Sequence, residues 1–229
     1  GELQKKYNAV FCATGAWKPS ILGLPDEGLL SQGLDFLEKI NRGMEQIGAK
    51  KVLVIGGGSV AMDVATSALR AGALEVTVAC LESRDEMPAL PGEVDQAVQE
   101  GIKLMPSWGP SRALKAKGNL SGMELVRCTS VFDSQHRFAP TYDRATKIKV
   151  EANQVILAVG QKPILSYASK YLKIESGLII VDPNTQAASE DNVFAGGDAT
   201  ISGPLTVVSA IAAGRRAAVA INHYLGGKG

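Results

Sequence analysis

The sequence predicts an α/β fold: a parallel sheet with an antiparallel β-meander appended to it, the whole inserted into a second, interrupted domain. Three observations carry this. Lys51 to Ile55 is a continuous apolar run that ends in three glycines and opens a helical pattern at Ser59, the start of a β-α-β unit. Beyond Pro110 apolar residues alternate with polar ones, as antiparallel strands with one wet face require. Finally, Val10-Phe-Cys-Ala-Thr-Gly-Ala-Trp-Lys-Pro19 is echoed by Val155-Ile-Leu-Ala-Val-Gly-Gln-Lys-Pro163. Two buried strands that both run into glycine and proline, one on each side of the β-α-β unit, fit one domain inserted into another.

Tyr7 to Thr14 reads as the first buried strand, ended by Gly15 and Pro19, and Leu22 to Gly33 as a connector. Ser31 is a candidate N-cap for a helix that puts Leu34, Leu37, Ile40 and Met44 on one face. Lys51 to Ile55 is a strand, Gly56 to Gly58 a turn, Ser59 to Arg70 a helix closed by Gly72, and Glu75 to Cys80 a second strand. Asp95 to Glu100 supports another helix and Ile102 to Met105 a third parallel strand. That order is half of a doubly wound sheet with right-handed crossovers. Arg112 to Lys117, Gly122 to Thr129 and Thr146 to Val150 form the meander, with Gly118-Asn119 at a turn, and Val155 to Val159 returns to an apolar strand. Leu178 to Val181 is a late strand. A long helix over Leu205 to Tyr224 is entered through Gly203-Pro204. The domain boundaries read from this are residues 1–30 and 161–229 for the interrupted domain and 31–160 for the inserted one.

Composition excludes several function classes. The 229 residues are 45% hydrophobic and 21% charged with a formal net charge of +1, so no global field draws nucleic acid or an anionic membrane. No apolar run approaches the roughly 20 residues of a membrane span; Arg215 and Arg216 interrupt the most apolar late stretch, and no signal-peptide pattern opens the chain. Cys12, Cys80 and Cys128 lie far apart without a Cys-x-x-Cys, which argues against a redox dithiol, a metal or an iron–sulfur site, and for a reducing, cytoplasmic setting. His136 and His223 sit in polar or terminal contexts and are expected to do no chemistry. The missing nucleophile elbow disfavours a Ser-His-Asp hydrolase.

Gly56-Gly57-Gly58-Ser59-Val60-Ala61 is a Gly-x-Gly-x-x-Ala fingerprint between a strand and a helix, the Rossmann-like context it requires. Gly56 permits the tight turn, Gly58 lets the backbone approach a pyrophosphate, and Ala61 lets the helix pack close to the sheet. The helix start supplies free N–H groups for that pyrophosphate. Asp63, early in the helix, reads as a group facing the helix dipole rather than a catalyst. At the end of the second strand, Leu81-Glu82-Ser83-Arg84 bears on the choice of dinucleotide. Glu82 can accept from ribose hydroxyls and repel a 2′-phosphate, which favours NAD; Arg84 can pair with such a phosphate, which leaves NADP open. Gly196-Gly197-Asp198 is a turn or, beside the fingerprint, a carboxylate set to accept from a ribityl hydroxyl, with the helix start at Thr206 facing the electron-rich edge of a flavin.

The ordered series Ala13-Thr14-Gly15, Gly56 to Asp63, Asp85-Glu86-Met87-Pro88-Ala89, Ala158-Val159-Gly160 and Ala195-Gly196-Gly197-Asp198 resembles the glutamate synthase small-subunit family of pyridine nucleotide oxidoreductases, over nearly the whole chain. The resemblance implies a nucleotide domain inserted in a FAD/NAD(P)-binding domain. It also implies that FAD accepts hydride from NAD(P)H and passes electrons to iron–sulfur clusters or a partner subunit. Cofactor contacts are then expected at Ala13, Thr14, Gly15, Ala158, Val159 and Gly160 as well as at the fingerprint. Gly197 and Asp198 would meet the flavin, and Thr206 to Val208 would lie near its pyrimidine side. Two departures from the family stand out. The FAD fingerprint and the cysteine-rich region before it are absent, so the chain is expected to be truncated at its N-terminus and to bind FAD weakly or not at all. Leu81-Glu82 stands where NADPH-using members carry arginines. Because the cofactors carry the chemistry, no catalytic side chain is expected. A nucleotide-binding module without turnover is the alternative, and the absent Cys-x-x-Cys argues against a thioredoxin-reductase-type disulfide reductase.

Overall fold

The computed structural model describes residues 1–227 apart from 45, 49 and 204. In chain order the elements are α1 (Glu2–Lys6), β1 (Val10–Cys12), β2 (Lys18–Pro19), β3 (Ser31–Gln32), α2 (Gly33–Asn41), β4 (Lys51–Ile55), α3 (Ser59–Arg70), β5 (Glu75–Ala79), α4 (Pro91–Gln99) and β6 (Lys103–Met105). Three long strands follow, β7 (Trp108–Ala116), β8 (Asn119–Phe132) and β9 (Phe138–Glu151), and then β10 (Gln154–Leu157). The remainder holds β11 (Gln161–Lys162), β12 (Ile174–Glu175), β13 (Leu178–Ile179), β14 (Val193–Ala195) and α5 (Val207–Tyr224). The chain divides into two compact units, an inserted unit of residues 19–160 and a split unit of residues 1–18 with 161–229.

In the inserted unit five parallel strands lie in the order β3-β10-β4-β5-β6. Side chains alternate across a strand, so β4 sends Val52 and Val54 to one face and Leu53 and Ile55 to the other, and all four are buried. Val52 and Val54 pack with Phe36 of α2, Val64 and Ala68 of α3 and Val94 of α4. Leu53 and Ile55 pack with Met123 and Leu125 of the meander strand β8. Burial on both faces is the physical reason for the unbroken apolar run in the sequence. On α3 the buried positions are small, with Ala61, Ala65 and Ala68 fully covered, which lets the helix lie close against the sheet.

The meander β7-β8-β9 is antiparallel and longer than the alternating pattern indicates. Register shifts, such as that between Val126 and Arg127, break the alternation without ending the pairing. The tight turn between β7 and β8 falls at Lys117 and Gly118, both at positive φ. Other sequence readings change too. Ser31 is not an N-cap but a strand residue opposite Ile156, and α2 starts from Gln32. The buried face of α2 centres on Phe36, with Leu37 and Ile40 partly covered, while Met44 lies beyond the helix and is exposed. α4 begins four residues before Asp95, at Pro91, since proline suits the first helical position. Leu24 and Leu30 pack in the meander-side core, so residues 19–30 go with the inserted unit. Asp63 lies past the first turn of α3, and burial, then Glu93, raises its carboxyl pKa.

The split unit has β1 and β14 as a two-stranded parallel sheet, and Ile179, Val193 and Ala195 in its core. β1 is only half covered, with Phe11 exposed, where the sequence reads as a buried strand. α5 starts at Val207 and buries only Ala213 and Ala217; Pro204 lies outside the described residues.

Candidate functional site

The glycine turn after β4 is built from three glycines with three different reasons. Gly56 has φ +142, and a Cβ there would fall on the Ala158 carbonyl oxygen. Gly57 faces the Glu82 carboxylate, with an added Cβ 2.8 Å from Oε2 and 3.1 Å from the Cys80 Cβ. Gly58 is in ordinary extended backbone, and a Cβ there would meet nothing within 4 Å. No neighbour among the described residues requires glycine at 58, and its lack of a Cβ leaves the backbone open to close approach by a ligand. α3 begins there without a side-chain cap, leaving the N–H groups of Ser59 and Val60 at the positive end of a twelve-residue helix. A pyrophosphate therefore fits this turn on the protein's own geometry.

The remaining nucleotide-side candidates separate. Glu82, half buried, hangs over the turn at Gly57, and its carbonyl accepts from the Ser107 N–H at 2.8 Å. Ser83 turns away: its hydroxyl donates to Glu86 at 2.7 Å, and hydrogen bonds from Ser83 hold the Glu86 carboxyl below the usual carboxylate range. Arg84 pairs with Asp95 of α4 at 2.9 Å, a half-exposed ion pair of little energetic weight. Ala158 is buried beside Gly56 and donates to the Ile55 carbonyl at 2.8 Å, and Val159 and the exposed Gly160 continue from that strand end. The structure thus gathers Gly56 to Ala61, Glu82 and Ala158 at the carboxyl edge of the sheet, where open α/β sheets bind ligands. The motif Met87-Pro88-Ala89 has a structural reason that spacing alone does not reveal. Met87 and Ala89 are buried in the helix-side core, and the Ala89 N–H donates to the Gly57 carbonyl at 3.0 Å, pinning the turn from behind.

Ala13 to Gly15 and Gly197 to Val207 lie in the split unit. The Thr14 hydroxyl is hydrogen-bonded to the Tyr167 hydroxyl at 2.8 Å, and Ala13 is exposed. Gly196 admits close contact, since a Cβ would stand 3.0 Å from Phe11 Cζ and 3.1 Å from Ala213 Cβ. Gly197 takes φ +70, and the half-buried Asp198 carboxylate has no partner among the described residues. An unspent acceptor at a strand end suits a sugar-alcohol hydroxyl, so the residues fit the ribityl end of a flavin. Thr206 caps α5, its hydroxyl oxygen accepting from the Ser209 N–H at 3.2 Å, and Val207 is exposed. All three thiols are free, and burial pushes the Cys80 thiol up to about 12, too protonated for redox work at neutral pH. Among the described residues no cluster of His, Cys, Asp and Glu could hold a metal ion, and no helix is long and apolar enough to cross a membrane.

The pyridine nucleotide-disulphide oxidoreductase family matches residues 1–214. The chain belongs to that family. FAD and NAD(P) are the family's cofactors, and the fold is that of its FAD/NAD(P)-binding members. It is 40% identical to the NADP(+)-dependent formate dehydrogenase subunit beta of Moorella thermoacetica, across 98% of this chain and 32% of that protein. It is 32% identical to the glutamate synthase [NADPH] small chain of Azospirillum brasilense, across 97% of this chain and 50% of that one. The chain thus spans about a third to a half of the length of these curated relatives. Mycobacterium tuberculosis FprA, solved in complex with NADPH, shares the fold with a TM-score of 0.76 at 18% identity, over 99% of this chain and 65% of FprA.

Proposed function

We propose that this chain is part of the electron-input module of a flavoprotein oxidoreductase. In it NAD(P)H docks on the inserted unit and its reducing equivalents pass through FAD to iron–sulfur clusters or a partner subunit. The observation that carries this reading is Gly58: an unforced glycine at an uncapped helix start, with Glu82 poised over the same turn. When bound, FAD would supply a two-electron acceptor for the nicotinamide hydride. The chain's own residues bind and orient. The N–H groups at Ser59 and Val60 take the pyrophosphate, Glu82 accepts from the adenosine ribose, and Ala158 to Gly160 border the turn. In the split unit Asp198 accepts from a ribityl hydroxyl, while Ala13 to Gly15, Gly197, Thr206 and Val207 line the flavin side. No side chain is assigned acid or base work.

Glu82 supports NADH, because Arg84 must leave Asp95 before it can meet a 2′-phosphate. The names of both relatives above point the other way for those proteins, since they carry NADP(+) and NADPH. A second reading, nucleotide binding without turnover by the chain alone, is favoured by the two-stranded sheet of the split unit and by the lack of a second glycine fingerprint. Calorimetric titration with NADH, NADPH and FAD in parallel separates these readings. NADH binding well ahead of NADPH, with FAD weak, is the expected result. Tight stoichiometric FAD binding would sink the second reading, and an NADPH preference would transfer selectivity from Glu82 to Arg84.

A further inference from the structure

In the split unit the turn that carries Asp198 lies between two anchored ends. Before it, β14 pairs with β1, and the Gly196 N–H donates to the Cys12 carbonyl at 3.1 Å. Gly197–Ala199 then forms a 3₁₀ turn, closed by the Thr200 N–H on the Gly197 carbonyl at 3.0 Å. After it, Thr200 lies against Ile179 of β13, and the Ile201 N–H donates to the Ile179 carbonyl at 3.2 Å.

Gln186 grips both ends. Its backbone carbonyl accepts from the Ala195 N–H at 2.9 Å, just before the turn. Its side-chain carbonyl accepts from the Ser202 hydroxyl at 3.0 Å, just after it, and its amide donates to the Pro183 carbonyl at 3.0 Å. The Thr200 hydroxyl stands 2.9 Å from the Ser202 hydroxyl and 2.9 Å from the Gly197 carbonyl. With the Ser202 proton on Gln186, the single Thr200 proton serves Ser202 or Gly197, so both hydroxyls are engaged. A continuous polar path thus runs from Gln186 through Ser202 and Thr200 to the first residue of the Asp198 turn.

Glutamine is a costly residue at this place. Gln186 is wholly buried and takes φ +61, where glycine or asparagine sits more easily. A buried carboxamide is tolerated only when its hydrogen bonds are made. Neither the backbone angle nor apolar packing calls for glutamine; the bonds at both ends of its side chain do. Asp198 is the reverse, half buried with its carboxylate unspent among the described residues.

We propose that Gln186 is a positioning residue for that carboxylate: through Ser202 and Thr200 it fixes the turn that presents Asp198 to a ribityl hydroxyl. The proposal rests on the flavin reading of the split unit given above and assigns the aim of its acceptor to a residue outside the glycine–aspartate motif.

The test compares Ser202→Ala, Ser202→Thr and Gln186→Met in the whole chain. Ser202 is only partly buried, so its variants carry the test if Gln186→Met does not fold. Amide hydrogen exchange reads the turn without any ligand. Fluorescence titration with riboflavin, and with lumiflavin, which lacks the ribityl chain, reads the carboxylate. Ser202→Ala is expected to speed exchange at the Thr200 amide about tenfold, against an unchanged rate at Leu172 in the core of the same unit. It should weaken riboflavin about tenfold and leave lumiflavin unchanged, and Ser202→Thr should restore both readings. Equal acceleration at Thr200 and Leu172 would reduce the network to general stability and overturn the proposal. An unchanged Thr200 rate would overturn it too, as would a chain that binds both flavins and loses neither or both alike. If the unaltered chain binds neither flavin, the flavin reading fails on its own, while a turn loosened only by Ser202→Ala still supports Gln186 as what holds Asp198 in place.

Discussion

The two echoing segments, Val10 to Pro19 and Val155 to Pro163, share a pattern but not a fate. β10 is flanked by β3 on one side and β4 on the other, and Val155, Ile156 and Leu157 are buried. Among the described residues β1 pairs only with β14, and Phe11 stands exposed on it. Parallel strands are stable when both faces are covered and neighbours satisfy their edges. The inserted unit meets that condition with helices on one face and the meander on the other. Among the described residues the split unit does not, and its long helix α5 carries Val208, Ile211 and Val219 exposed. The same local pattern therefore ends a strand covered on both faces in one unit and a half-covered strand in the other.

The largest expected effect comes from removing core atoms in the finished unit. Leu53 is fully buried between β4 and the meander, so Leu53→Ala should cost about 2–5 kcal/mol in chemical denaturation. Ile211→Ala on α5 should change stability by less than about 0.5 kcal/mol, because the side chain is already in water. Comparable losses at both positions would show that α5 is covered in solution.

The thiols give the next contrast. Burial holds the Cys80 thiol near 12 against an ordinary value of 9.0, and it raises Cys12 as well, to a position less enclosed. A thiol raised on folding contributes stability that is intact below the unfolded value and declines as pH climbs toward the folded one. Stability should therefore fall between pH 9 and about 12, by an amount on the order of a few kcal/mol, and Cys80→Ala should flatten that slope. Thiol labelling at pH 8 should reach Cys12 well before Cys80; the reverse order would contradict the enclosed environment of Cys80.

Much of this was legible in the residues, for physical reasons that differ by element. β4 and α3 match their sequence spans because a two-faced apolar run and three glycines leave few alternatives. The meander strands outran their alternating pattern because bulges shift phase without ending a ladder. Ser31 failed as a cap since pairing with β10 offered its backbone more than a helix start did. The link from Ala89 to Gly57, and that from Ser202 to Gln186, depend on contacts between segments distant in sequence, which no local pattern encodes.

The smallest effect is the most diagnostic of the nucleotide turn. Gly58→Ala places a methyl in open space on unstrained backbone, so melting temperature should not move, while NADH affinity should drop about tenfold, or roughly 1.4 kcal/mol. Gly197→Ala in the split unit should behave in the opposite way. Its φ of +70 makes a Cβ cost roughly 1 kcal/mol, yet nucleotide affinity should hold. If Gly58→Ala instead destabilises the chain and leaves NADH binding intact, glycine at 58 serves packing after all. The strongest support for a pyrophosphate there would then be gone.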